Sequence, residues 1–93
     1  MKQPSVTRQL EIKNRLGLHA RAAAQLVQLA AKFESEVTLV KDDQVVNGKS
    51  ILNVMMLAAA QGSTVEVTTD GPDAEACMAA IEKLIGDRFN EEE

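Results

Sequence analysis

A chain of 93 residues is long enough for one domain with a single hydrophobic core, and too short for an enzyme with separate cofactor and substrate lobes. Its formal net charge of −4, the lack of a basic run and the presence of only two phenylalanines as aromatic residues argue against nucleic-acid binding. No apolar run approaches the roughly 20 residues that span a bilayer, residues 1–5 lack the apolar segment of a secretory signal, and one cysteine excludes an internal disulfide, so we expect a cytoplasmic protein without membrane insertion.

The first predicted elements are a strand and an amphipathic helix. Between Val6 and Lys13, apolar and polar residues alternate, with Leu10 and Ile12 on one side, which is typical of a half-buried strand. Residues 14–18 then form a turn, and a helix is predicted from Ala20 to Phe33. Its apolar residues recur at helical spacing, and the predicted buried face consists of Ala23, Leu26, Val27, Ala30 and Phe33.

A short hairpin and a second helix are predicted next. Glu36–Lys41 and Gln44–Asn47 have the pattern of two strands, and the pair Asp42-Asp43 between them is typical of a tight turn. A helix is then predicted from Ser50 to about Ala59, and Gly62 is predicted to end it.

The last predicted elements are one strand, Thr64–Thr69, and one helix that begins after Gly71-Pro72-Asp73. We expect the acidic run Glu91-Glu92-Glu93 to be frayed, and we expect one domain over residues 1–93 with an ordered core at about 6–89. The predicted buried face of the last helix consists of Ala74, Cys77, Met78, Ile81, Leu84 and Ile85.

The order of these elements predicts an α+β fold with a mainly antiparallel sheet and helices packed on one of its faces. The acidic residues Asp42, Asp43 and Asp70 are interpreted as turn residues, because they lack the spacing of metal ligands. We therefore expect no metal site.

The most informative residue is the single histidine, His19, which stands at the predicted start of the first helix. A helix start offers unpaired N–H groups and the positive end of the helix dipole, and Arg21 adds a guanidinium group. The imidazole of His19 is a nucleophile that works near neutral pH. Together these groups predict that a phosphoryl group is formed and held on His19.

A lone histidine in a small domain is more often structural, and Gly17 alone is weak support because glycine is common in strand-to-helix turns. Arg21 strengthens the functional interpretation. A cation two residues into a helix is disfavoured by the helix dipole by roughly 0.3–1 kcal/mol. A bound anion would remove this conflict.

The run Gly17-Leu18-His19-Ala20-Arg21 resembles the phosphorylation-site motif of the HPr family, the histidine-containing phosphocarriers of the sugar phosphotransferase system and its nitrogen-related branch. The segment from Asn47 to Met55 resembles the regulatory-serine segment of that family, and residues 61–67 are also similar, so that the resemblance covers about Val6 to Phe89. It implies an HPr-like open-faced β-sandwich, in which a four-stranded antiparallel sheet of order 1-4-2-3 is covered on one face by three helices.

The resemblance implies a covalent phosphoryl carrier rather than a stand-alone enzyme. His19 would accept the phosphoryl group on Nδ1 from a phosphoenolpyruvate-dependent enzyme I, Arg21 would stabilise it, and an enzyme IIA-type protein would take it. Because phosphoryl transfer needs mainly positioning and charge neutralisation, we expect the backbone of Ala20, Arg21 and Ala22 to bind the phosphate without a cofactor. Ala22 stands where family members usually have proline, and its N–H is predicted to be an additional donor.

Ser50 has two interpretations. A serine before an apolar helical run is most often an N-cap, although position 53 lacks the Glu or Gln of a capping box. The resemblance implies a second role, because in some bacteria a dedicated HPr serine kinase phosphorylates the matching serine. A phosphate at Ser50 would add a charge of about −1.5 to −2 to the face predicted for docking.

A surface for partner proteins is predicted beside His19. The segment Ile51–Leu57 is apolar on too many sides for a short helix that buries one face, so it is either partly exposed for docking or sunk in a small core. The resemblance favours docking of donor and acceptor, on a protein that we expect to be a monomer. The predicted docking residues are Ala20, Ala24, Val27, Ile51, Leu52 and Met55.

Two other functions stay open from the sequence. A regulatory module of the same fold would bind partners and signal by its phosphorylation state at His19 or Ser50, and a plain interaction domain would use His19 only as an unreactive N-cap. The branch is open as well. Residues 87–91 loosely resemble members of the nitrogen-related branch, whereas residues 49–52 resemble carriers with a regulatory serine.

Overall fold

The structure is a computed structural model that describes residues 4–91. The elements in chain order are β1 (Ser5–Glu11), α1 (Ala20–Ala30), β2 (Glu36–Lys41), β3 (Gln44–Asn47), α2 (Ile51–Met56), β4 (Thr64–Asp70), α3 (Ala74–Gly86) and a 3-10 turn at Arg88–Asn90. All strand pairs are antiparallel, and the sheet order is β1-β4-β2-β3. The predicted α+β class, the sheet order and the three helices are confirmed.

Alternation along the strands explains why the helices cover a single face of the sheet. Val65 and Val67 of β4 are buried, whereas Glu66 between them is only half-buried. Leu39 of β2 lies opposite Val67 in the antiparallel register and is also buried. Because successive side chains of a strand point to opposite faces, the two valines and Leu39 all face the helices and form the core with them.

The predicted hairpin is confirmed in detail. Lys41 pairs with Gln44, which leaves Asp42 and Asp43 as a two-residue connection. Both have positive φ, 50° and 68°, which is the backbone of a type I′ turn and matches the twist of the flanking strands.

The helix α1 is shorter than predicted, because it ends at Ala30 and leaves Phe33 outside. The N–H groups of Lys32 and Phe33 donate to carbonyls three residues earlier, each at 3.1 Å, so the chain tightens and leaves the helix. The predicted buried face holds for Ala23, Leu26 and Ala30, and the side chains of Val27 and Phe33 are half-buried against the core. In α3 the predicted face is buried except for Leu84, which is half-buried.

The second helix is also shorter than predicted. It ends at Met56, and Ala58 has a φ of 50°, which no helix continues through. Leu57 and Ala59 are buried as anchors of an irregular loop. Gly62 therefore does not end a helix; its N–H donates to the carbonyl of Ile12 at 2.8 Å and starts the approach to β4.

A close backbone contact joins the loop after α2 to the turn before α1. The N–H of Leu18 donates to the carbonyl of Ala59 at 2.9 Å, and Gly17 has a φ of 67°. A Cβ atom at position 17 would lie 2.3 Å from the oxygen of Ala59. Position 17 therefore needs glycine for its backbone conformation and for the space.

The expectation of a frayed acidic end is wrong for Glu91, while Glu92 and Glu93 lie outside the described residues. The side chain of Glu91 is only 17% exposed and accepts two hydrogen bonds. The reason is the preceding turn, in which Phe89 is buried at 1% exposure and anchors the chain against the core.

Within residues 4–91 no helix combines the length and apolarity needed to cross a membrane.

The contact at Gly17 predicts a specific loss of stability. We expect Gly17→Ala to lower the free energy of unfolding by more than about 2 kcal/mol, because positive φ alone costs about 1–2 kcal/mol and the Ala59 carbonyl must also move. Gly62→Ala is the matched control, since Gly62 has a φ of 89° but no atom within 4 Å of the new Cβ. Urea denaturation of both variants checks this; equal losses would mean that the contact with Ala59 does not constrain position 17.

Candidate functional site

His19 is the N-cap residue of α1, as predicted. Its backbone is extended, with φ −72° and ψ 177°, and its carbonyl accepts the first helical hydrogen bond, from the N–H of Ala23 at 2.8 Å. Its Nδ1 accepts a hydrogen bond from the N–H of Arg21 at 3.3 Å. Nδ1 therefore faces the open end of the helix in the position that a capping oxygen usually takes.

The other ring nitrogen of His19 faces a carboxylate. Nε2 lies 2.6 Å from Oε2 of Glu91, and the second carboxylate oxygen accepts a hydrogen bond from Nδ2 of Asn14 at 3.1 Å. The His19 side chain is 26% exposed and that of Glu91 17%. The imidazole is thus held between the helix start and a partly buried carboxylate, with one edge open to solvent.

The surroundings of Glu91 favour its ionised form. Partial burial raises the pKa of the Glu91 carboxyl. The hydrogen bonds from His19 and Asn14 and the charge of Arg21 lower this pKa by more than burial raises it, so it lies below its ordinary value. Glu91 is therefore a carboxylate at neutral pH, and a carboxylate oxygen only accepts hydrogen bonds.

The start of α1 has the features of an anion site, with Ala20 and Arg21 exposed and Ala22 buried. Its first turn contains no acidic residue, and within residues 4–91 the N–H groups of Ala20 and Ala22 make no hydrogen bond. Arg21 lies exposed in the same turn. These groups match the predicted phosphate-binding set of Ala20, Arg21 and Ala22, whose role stays a prediction. Across the described chain, no cluster of three or more His, Cys, Asp or Glu side chains is placed to hold a metal ion.

Ser50 caps α2, in agreement with the first of its two interpretations. Its Oγ accepts hydrogen bonds from the N–H of Asn53 at 3.3 Å and from Nδ2 of Asn53 at 3.1 Å. Asn53 thus supplies a side-chain contact to the cap in place of the Glu or Gln of a capping box. The second interpretation, phosphorylation of Ser50, stays a prediction.

The predicted docking residues of α2 are exposed. Ile51, Leu52 and Met55 show 41%, 74% and 38% of their surface, so this helix is not sunk in the core. On α1, Ala20 is exposed, while Ala24 and Val27 are half-buried. Among residues 4–91, three more large apolar side chains are exposed, Met56 at 62%, Leu16 at 66% and Val45 of β3 at 66%. The sequence analysis missed Leu16, because a leucine in a turn carries no periodic signal.

Sequence analysis also missed Asn14 and Glu91. Asn14 is fully buried, and its Nδ2 donates to the carbonyl of Gly17 at 2.8 Å as well as to Glu91. No sequence pattern links either residue to His19, because Asn14 falls in a turn and Glu91 falls in an acidic run that is typical of a solvated segment. Only the folded chain brings them together.

Comparison with known proteins identifies the family of this chain. The family model described as the PTS HPr component phosphorylation site matches residues 6–87. The chain belongs to the HPr family of the phosphotransferase system. A phosphocarrier protein HPr from Cupriavidus necator is 52% identical over 86 residues, which are 92% of this chain and 97% of the relative.

Solved HPr structures support the same assignment. A crystal structure of HPr-C-His from Thermoanaerobacter tengcongensis matches with a TM-score of 0.88 and 44% identity, and covers 97% of this chain and 99% of its own. An HPr dimer from the same organism matches with a TM-score of 0.75 and 43% identity over 98% and 100% of the two chains. Membership of the HPr family confirms the predicted phosphocarrier role and leaves the plain interaction domain without support.

Proposed function

We propose that this HPr-family protein carries a phosphoryl group on Nδ1 of His19, which it accepts from a phosphoenolpyruvate-dependent enzyme I and passes to an enzyme IIA-type protein in the cytoplasm. The observation that carries the proposal is the orientation of the imidazole. Nδ1 faces the start of α1, whereas Nε2 lies against the carboxylate of Glu91. A phosphoryl group on Nδ1 lies where the helix attracts an anion, and one on Nε2 would face a negative charge.

The backbone at the start of α1 supports a moderate grip on the phosphoryl group. Ala20 and Ala22 offer N–H groups that are unbonded within residues 4–91. The hydrogen bond from Arg21 N–H to Nδ1 is long, at 3.3 Å, so this N–H can turn to a phosphoryl oxygen at little loss. A carrier must also release its phosphoryl group, and three neutral donors with one exposed guanidinium hold it without trapping it.

The exposed apolar surface beside the site suits transient partners. Ile51, Leu52 and Met55 lie on α2, which packs against α1, and the loop after α2 bonds to the backbone of Leu18, next to His19. Methionine and leucine side chains at a surface can repack against different partners. We therefore propose that the donor and the acceptor bind this one surface in turn. The protein would act as a monomer, in which this surface is uncovered.

Phosphorylation of His19 is tested by intact-mass analysis after incubation with phosphoenolpyruvate and a cognate enzyme I. We expect the wild type to gain one acid-labile phosphoryl group, because a phosphorus–nitrogen bond hydrolyses in acid. His19→Ala should gain none and should still unfold cooperatively in urea, with the free energy of unfolding lowered by about 0.5–2 kcal/mol through loss of the helix cap. Ser50→Ala is the control and should be phosphorylated like the wild type; an adduct that persists in His19→Ala would disprove the assignment to His19.

Replacement of Arg21 separates phosphate stabilisation from docking. We expect Arg21→Ala to lower kcat of transfer about ten- to hundredfold with little change in KM, because a charge-assisted hydrogen bond of about 1.5–3 kcal/mol is lost at the transferring group. Lys32→Ala is the matched control, since it removes an exposed cation beyond the other end of α1. Stopped-flow or quench-flow transfer assays give both constants. Unaltered kinetics in Arg21→Ala would remove this residue from the mechanism.

Negative charge at Ser50 tests the docking surface and the role proposed for an HPr serine kinase. We expect Ser50→Asp to raise KM for enzyme I, because a carboxylate beside Ile51 and Leu52 must be desolvated when the donor covers these apolar side chains. Ser50→Ala, which removes the hydroxyl without adding charge, should change KM little. An unchanged rate of phosphorylation in Ser50→Asp would mean that the donor does not contact this end of α2.

A further inference from the structure

Among residues 4–91, the carboxylate of Glu91 pairs with the His19 ring, on the side away from the proposed phosphoryl group. Its Oε2 lies 2.6 Å from Nε2, while Nδ1 accepts a hydrogen bond from the N–H of Arg21 on the opposite edge of the ring. Glu91 lies outside residues 6–87, the range that the family model matches. The family pattern therefore assigns it no role.

The two hydrogen bonds select the same form of the neutral ring. A carboxylate oxygen accepts only, so Nε2 must carry the proton that it donates to Glu91. The backbone N–H of Arg21 donates only, so Nδ1 must present its lone pair. In the opposite tautomer both contacts would be lost, because Nδ1–H would oppose a donor and the bare Nε2 would oppose an acceptor.

Buried groups on both sides hold the Glu91 carboxylate in place. Phe89 is buried two residues earlier, and Arg88, Phe89 and Asn90 all have positive φ, between 54° and 62°, which turns the chain back toward α1. Asn14 is fully buried, and its Nδ2 donates to both Gly17 and Glu91.

The orientation of the Asn14 amide is itself informative. Its Oδ1 is buried and has no hydrogen-bond partner within residues 4–91. An unpaired buried oxygen opposes folding, and it persists here because the opposite orientation would place it against the Gly17 carbonyl and the Glu91 carboxylate. The Asn14 amide thus keeps its NH₂ donor on Glu91 and leaves its own oxygen unpaired.

We propose that Glu91 is a positioning residue that keeps the proton of His19 on Nε2 and leaves the lone pair of Nδ1 free for phosphoryl transfer. The inference rests on the proposed function, in which His19 is the phosphoryl acceptor. When the Nδ1 lone pair bonds to phosphorus, the bond from phosphorus to the donor breaks and its electron pair leaves with the donor. No proton moves at His19, and the ring gains a positive charge that faces the Glu91 carboxylate.

The reverse step uses the same contact. An acceptor nucleophile bonds to phosphorus, the phosphorus–nitrogen bond breaks, and its electron pair returns to Nδ1. Because Nε2 keeps its proton through both steps, the leaving group is a neutral imidazole rather than an imidazolate. Glu91 therefore serves acceptance and release alike, as a reversible carrier requires.

The test combines nitrogen NMR with transfer kinetics on full-length Glu91→Gln. The chain has one histidine, so 15N-histidine labelling reports on His19 alone. Glutamine has the shape of glutamate but no charge. If its NH₂ group faces Nε2 it opposes the ring proton, and if the NH₂ group faces the Asn14 donor, Nε2–H is left with a neutral amide oxygen, a weaker acceptor than the carboxylate, so in both orientations the proton on Nε2 is less stabilised. At a pH at which the imidazole is neutral, we expect the Nδ1-protonated tautomer to increase, and kcat for phosphorylation to fall about tenfold with KM unchanged.

Two further variants make the test specific. Glu91→Asp keeps the carboxylate on a shorter side chain and should recover part of both effects, and Glu75→Gln removes an exposed carboxylate of α3 and should show neither. The inference requires that Glu91→Gln shows both the tautomer shift and the lower kcat. If Glu91→Gln shows neither or only one of them, the positioning role is overturned, while a wild type that is phosphorylated on His19 still supports the carrier function. A wild type that gains no phosphoryl group on His19 overturns both.

Discussion

The hydrogen bond from the N–H of Arg21 to Nδ1 of His19 is the interaction on which the site depends. Through this bond the proposed phosphoryl acceptor is also the cap of a helix. The nucleophile therefore lies at the positive end of the helix dipole. In the proposed mechanism the same N–H is a hydrogen-bond donor before and after transfer, first to Nδ1 and then to a phosphoryl oxygen.

The rest of the fold fixes this helix start and places the exposed apolar side chains of α2 beside it. The sheet buries Val65, Val67 and Leu39 under the helices, and the contact between Gly17 and Ala59 joins the His19 turn to the loop after α2. Because α2 ends at Met56, the apolar residues of segment 51–59 divide into two groups. Leu57 and Ala59 anchor the loop in the core, and Ile51 and Leu52 remain at the surface.

The order of the elements and the position of His19 could be predicted from the sequence, because strand alternation, helical periodicity and the Asp42-Asp43 turn are local signals. The sheet order is implied only by the family resemblance. The ends of α1 and α2 could not be predicted, since tertiary contacts overrode helix propensity where Ala58 turns to positive φ and Phe33 packs beyond the helix. The contact between His19 and Glu91 joins residues 72 positions apart. It depends on the burial of Phe89 and Asn14, and an acidic run by itself indicates only a solvated segment.

The central claim is that the phosphoryl group resides on Nδ1 of His19, and heteronuclear NMR of the phosphorylated protein tests it most directly. With 15N in the single histidine, a bond to phosphorus produces a one-bond coupling between 31P and the nitrogen that carries it. The account predicts this coupling at Nδ1, with Nε2 still bonded to its proton. Coupling at Nε2, or a phosphorylated protein without any coupling to the ring, would contradict it.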